Sequence, residues 1–165
     1  MKKTIFMAMT VVAICLTSCG FGKSATTNTS STTTAAATTD GTTIGRSTGV
    51  ALDALAAQYK NDGKLDMTNL MNVANVLNVI GGAQNVYENK GSKDYLKTFS
   101  KGLVAGSLNI DTDEAAENIT EQLEDWADQT NLTELQTAMQ KGQATAEEVQ
   151  NVANSVTNII SLFKK

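Results

Sequence analysis

From Val50 onward, apolar side chains return at helical spacing. Leu52, Leu55, Ala56 and Tyr59 stand at i, i+3, i+4 and i+7, which places them on one face of a helix. The stripe recurs as Leu70, Val73, Ala74, Leu77 and Ile80, and again as Tyr95, Phe99 and Leu103. Ala116, Ile119, Leu123 and Trp126 make a fourth stripe, and Leu132, Leu135 and Met139 a fifth. Val149, Val152, Ala153, Val156, Ile159, Ile160 and Phe163 make the last. No stretch keeps the two-residue alternation of a half-buried strand. The pattern predicts an all-α domain over 48–165, a compact bundle of about six helices near 48–61, 66–88, 92–107, 112–129, 132–141 and 145–163.

The helix starts are marked by polar residues. Asp66, Ser92, Asp111, Asn131 and Thr145 stand where a side-chain oxygen would take a free backbone N–H. Asp111 with Glu114, Asn131 with Glu134 and Thr145 with Glu148 have the spacing of a reciprocal capping box. Gly63, Gly91 and Gly142 fit the turns between helices. Gly81 and Gly82 either kink the second helix or let a neighbour approach closely.

Two helical hairpins share a register. Leu52-Asp53-Ala54-Leu55 matches Leu132-Thr133-Glu134-Leu135, and Asn72-Val73-Ala74-Asn75 matches Asn151-Val152-Ala153-Asn154. With one residue deleted in the turn, Gly63 faces Gly142 and Ile80 faces Ile159. The bundle is therefore expected to contain duplicated hairpins, with a weaker third copy around Thr112 to Trp126. Asparagine is a mediocre helix former, so its repetition calls for a reason. Asn72, Asn75, Asn151 and Asn154 are candidates for amide pairing between the two long helices. The alternative is a solvated polar flank.

Ahead of the domain the pattern changes. Lys2 and Lys3 precede an apolar run from Ile5 to Leu16, which is too short to span a bilayer as a helix and has the form of a secretory signal. The run ends in Leu16-Thr17-Ser18-Cys19. These four residues resemble the lipobox of bacterial lipoproteins. The resemblance covers the first 20 residues or so and implies cleavage before Cys19 and acylation of that cysteine. No Asp follows Cys19, so the same resemblance implies an outer-membrane protein, in contact with the membrane through its lipid; no acidic cluster follows either, so the chain is expected to face the periplasm. Residues 20–47 are mostly Thr, Ser, Ala and Gly. Such a segment cannot bury enough apolar surface to offset its ordering entropy and is expected to be a disordered tether.

Charge and composition narrow the chemistry. The chain carries a net charge of −4. Loss of Lys2 and Lys3 with the leader takes this to −6, an unpromising balance for nucleic acid. There is no histidine, and the two cysteines are Cys15, inside the leader, and Cys19. The domain thus lacks an imidazole base, a thiol nucleophile and a Cys/His metal set. No cofactor or metal is expected.

The remaining motifs are weak. Asp62-Gly63-Lys64-Leu65-Asp66 resembles the centre of an EF-hand loop, but a calcium loop in that register would put Lys60 at a ligand position. Ser161-Leu162-Phe163-Lys164 matches Ser-x-x-Lys without the companion motifs. Glu117, Glu121, Glu124 and Asp128 form an acidic stripe, suited to a basic partner if it is more than a solvated face. The expected function is a non-catalytic binding or structural module. A small carboxylate-dependent enzyme acting on envelope polymers is the alternative.

Overall fold

Three glycines at four-residue spacing decide where the fold begins. The computed structural model describes residues 40–163. The leader, Cys19 and the tether up to residue 39 lie outside them. Helix α1 spans Gly41–Asp62, with the Asp40 side chain capping it by accepting from the Thr42 N–H. It therefore starts seven residues before position 48, inside the stretch expected to be tether. Hydropathy missed this turn because Gly41, Gly45 and Gly49 present no side chain to read. Their role is closeness.

Helix α3, Lys93–Gly106, lies directly on α1. A methyl added at Gly45 would land on the Phe99 carbonyl, and one at Gly49 would come 2.7 Å from the Leu103 carbonyl. From the other side, a methyl at Gly102 would strike the Thr42 carbonyl and one at Gly106 that of Arg46. Glycine costs about 1 kcal/mol per residue in a helix interior. Backbone-to-backbone packing, with the dispersion contacts it gathers, offsets that cost here.

Helix α2, Leu70–Glu88, runs unbroken through its glycine pair. Gly82 seats Thr48 of α1, while Gly81 faces open space. Close approach, not a kink, is the use of the pair. The helix starts at Leu70, not near 66, and Asn69 is its cap. Asp66 is occupied one turn earlier, accepting from the Thr68 N–H at 2.9 Å and hydroxyl at 2.6 Å. The buried face is also rotated from the expected one. Val76, Val79, Ile80, Ala83 and Val86 are buried, whereas Leu70 is 69% exposed and Ala74 lies at the surface. This helix is apolar nearly all round, so periodicity alone could not orient it.

The later helices follow the expected stripes. Helix α4, Asp113–Gln129, buries Ala116, Ile119, Leu123 and Trp126. Helix α5, Leu132–Gln140, buries Leu132 and Leu135. Helix α6, Ala146–Ile160, buries Val152, Ala153, Val156, Ile159 and Ile160, and Phe163 closes the core just beyond it. One contiguous hydrophobic cluster joins all six helices. Thr112 takes the cap expected of Asp111. Thr145 and Glu148 form a reciprocal capping box, and Asn131 holds Glu134 through its side-chain amide as well. Gly63 and Gly142, which end α1 and follow α5, both adopt left-handed φ, 67° and 65°. Gly91 is not left-handed among the described residues.

Candidate functional site

A cleft opens where three helix ends meet. It holds about 530 Å³ between the start of α1, the end of α2 and the start of α3. Asp40 and Asp94 supply carboxylates to its wall, and Asn85 and Asn89 supply amides. Each amide NH₂ already gives one of its two N–H groups. Asn85 donates to the Gly81 carbonyl and Asn89 to the Asn85 carbonyl, each at 2.8 Å. Each side chain keeps its carbonyl oxygen and one N–H, so with the two carboxylates acceptors outnumber donors in the cleft.

Tyr95 stands in the same cleft, stacked on Phe99 with ring centroids 6.4 Å apart. Its hydroxyl is buried without a hydrogen-bond partner. Burial, and then the carboxylates of Glu88 and Asp40, raise its pKa above the ordinary phenol value. The group therefore stays protonated at neutral pH and can serve as a donor. Acceptors with one phenolic donor form a recognition surface for polar or cationic groups. Sequence reasoning missed this cleft. Its residues come from three separate elements, and Asp40 lay in the supposed tether.

A second groove, about 370 Å³, runs between α3 and α4. Glu117, Glu121 and Glu124 of the predicted acidic face line one side. Lys93 and Lys97 line the other, with Leu96 between the rows. Beneath it, the buried hydroxyls of Ser100 and Thr120 bond at 3.1 Å and fasten the two helices. The acidic stripe is thus not a simple acidic face, because a lysine row confronts it. Asp128 is drawn away from it to Lys90, at 3.6 Å. The Lys90 ammonium also sits 4.0 Å above the Tyr87 ring.

The proposed asparagine pairing is not what the geometry shows. Asn72 is buried and donates to the Asp66 carbonyl at 2.7 Å, bracing the turn before its own helix. Asn154 is exposed and accepts from Gln150 within α6 at 3.0 Å. Among the described residues no hydrogen bond joins Asn72 or Asn75 to Asn151 or Asn154. Asn151 instead lines a small groove of about 240 Å³ beside Trp126, together with Glu134 and Glu148. Glu148 accepts from the Thr145 N–H at 2.6 Å and from its hydroxyl at 2.8 Å. These bonds hold its pKa below the ordinary glutamate value, which suits a cap and opposes use as a general acid.

The EF-hand-like turn gathers no ligand set. Among the described residues no group of three or more acidic side chains is placed to hold a metal. Asp53 of α1 has a structural task instead. Its carboxylate accepts from the Ser107 hydroxyl at 2.5 Å, the Leu108 N–H at 2.6 Å and the Asn109 amide at 3.0 Å, tying down the loop that leaves α3. No family model, no curated protein and no solved structure matches this chain.

Proposed function

We propose that the chain is a lipid-anchored protein of a bacterial envelope, facing the periplasm from the outer membrane, and that its helical domain is a non-catalytic binding or structural module. The observation that carries this reading is the lysine-led apolar run ending in Leu16-Thr17-Ser18-Cys19. Among the described residues no helix is long and apolar enough to cross a membrane; the resemblance to a lipobox puts the attachment at Cys19. One short acyl chain binds a bilayer only marginally, and stable anchoring takes two or more, as lipoprotein maturation would provide.

The domain supports recognition more than chemistry. The sequence contains no histidine. The cleft between α1, α2 and α3 offers acceptors and one phenol, a set suited to holding a polar group on an envelope partner. The α1–α2 and α5–α6 pairs, with their left-handed glycines, are read as copies of one hairpin used to build a rigid support.

Mass spectrometry of the mature protein from membranes tests the anchor. An acylated Cys19 at the N-terminus is expected, and Cys19→Ala should move the chain to the soluble fraction. A membrane-extracted chain with an unmodified Cys19 would refute the proposal. Pull-down from solubilised envelopes, with Cys19→Ala as control, then seeks the partner.

A further inference from the structure

The α3–α4 groove is built from two rows of opposite charge. Lys93, Lys97 and Lys101 recur every four residues on α3, and all are exposed. Across the groove, Glu117 and Glu121 are exposed and Glu124 is half-buried. The helices run antiparallel, since Ser100 bonds Thr120 and Lys90 pairs with Asp128. Each lysine therefore lies level with a glutamate. Yet among the described residues the ion pair formed is Lys90–Asp128, and the rows do not close on each other. Lys93, Lys97, Glu117 and Glu121 are left exposed along the groove, with Glu124 half-buried beside them.

We propose that this face docks a second copy of the chain. The argument is symmetry and charge. A two-fold axis lying along the groove exchanges left for right and keeps the level along the helix. It lays the lysine row of one copy over the glutamate row of the other, twice, in matched register. A two-fold axis across the groove would set lysine on lysine, so the pattern selects one arrangement. Opposed rows of this kind fix orientation and partner more than they add affinity. Leu96 lies half-buried between the rows, at the centre of the contact. The Ser100–Thr120 bond keeps the rows at a fixed spacing in the free protein.

Exposed ion pairs are screened by salt over about 10 Å at 0.1 M. The dimer is accordingly expected to be weak and salt-sensitive. It stands independently of the anchoring reading, because it concerns the folded domain alone.

The test is sedimentation equilibrium of the full chain in a neutral detergent, at low and high salt. Self-association should weaken at least tenfold as NaCl rises from about 0.02 to 0.3 M. Lys93→Glu with Lys97→Glu makes both rows acidic, and Glu117→Lys with Glu121→Lys makes both basic. Each double variant alone should be monomeric, and the two mixed should form a one-to-one dimer. All four positions are exposed, so circular dichroism should stay that of the parent chain. A parent chain that is monomeric at low salt overturns the proposal, as does a dimer that both charge reversals leave intact. Capture of a different protein by a monomeric parent chain overturns it as well.

Discussion

The α1–α3 contact and the packing of α6 against α1, α2 and α4 solve one packing problem with opposite residues. Along α1 and α3, glycines bring backbone against backbone, and the contact works because atoms are missing. In α6, Val152, Val156 and Ile159 fill the space, and the contact works because atoms are present. A gap of zero side chains and a gap filled by branched ones are equally specific, since protein interiors are close-packed either way. They differ in what damages them.

The largest effect expected follows from that difference. Gly45→Leu pushes a branched side chain into the Phe99 carbonyl and must separate two helices. Overpacking costs about 1–3 kcal/mol where side chains can yield, and more where backbone is the obstacle. We expect a loss above about 3 kcal/mol, read as a lowered urea midpoint or failure to fold. The opposite change in the other region is Ile159→Ala, which should cost about 2–4 kcal/mol through a cavity. If Gly45→Leu were tolerated within about 1 kcal/mol, the seam would not be the tight contact described.

This contrast also explains what could be read in advance. The stripes of α4 and α6 were legible because each has a polar back, so a single face is apolar. Thr145 with Glu148 was legible because the capping spacing is local. The first turns of α1 were not, because glycine and threonine score as loop until a second helix is known to lie on them. The orientation of α2 failed for a related reason. Apolar residues surround it, and only its tertiary neighbours choose Val76 over Leu70. The cleft at Tyr95 depends on Asp40, Asn85 and Asp94 converging from three elements, and no spacing in the chain announces that.

A second comparison sets local polar bonds against the seam. Thr145→Ala removes the α6 cap, and loss of an N-cap costs about 1 kcal/mol. The pH dependence has a definite sign. Glu148 has a lowered folded pKa, from the backbone N–H and then the hydroxyl of Thr145. Its contribution is therefore present above the ordinary glutamate range and is lost as pH falls through that range into the lower folded value. Asp66, lowered by the hydroxyl and then the N–H of Thr68, acts in the same direction. Thermal unfolding of the parent chain and Thr145→Ala should differ most at neutral pH, and the difference should shrink without vanishing as the pH falls below about 4, because the Thr145 oxygen still accepts from the Glu148 N–H. A constant difference down to about pH 2 would remove Glu148 from the cap's energetics.

Gly81→Ala is the internal control for the glycine argument. Its neighbour Gly82 presses on Thr48, but a methyl at Gly81 meets nothing within 4 Å. The substitution should stabilise α2 by about 0.5–1 kcal/mol, by lowering the entropy of the unfolded chain. Gly82→Ala should destabilise instead, since its methyl would meet the Thr48 side chain. Two adjacent glycines with opposite signs would show that contact, not composition, decides which glycines the fold requires. Equal signs would mean that helix propensity outweighs the packing described.

The smallest effect tests the asparagines, where the two hairpins look most alike in sequence. Asn75 is half-buried, and Asn154 is exposed and bonded within its own helix. Amides that paired across α2 and α6 would lose stability together, and a double-mutant cycle would show coupling of about 0.5 kcal/mol or more. The geometry predicts additivity instead. Asn75→Ala and Asn154→Ala should each change stability by no more than about 0.5 kcal/mol, and the double variant should equal their sum. Asn72→Ala should be the exception among these residues, because its buried amide holds the Asp66 carbonyl and leaves that oxygen unpaired when lost. A measured coupling between Asn75 and Asn154 would put the register of the two long helices under polar control. Its absence leaves register to Val76, Ile80, Val156 and Ile159, whose burial already supplies a reason for the helices to align as they do.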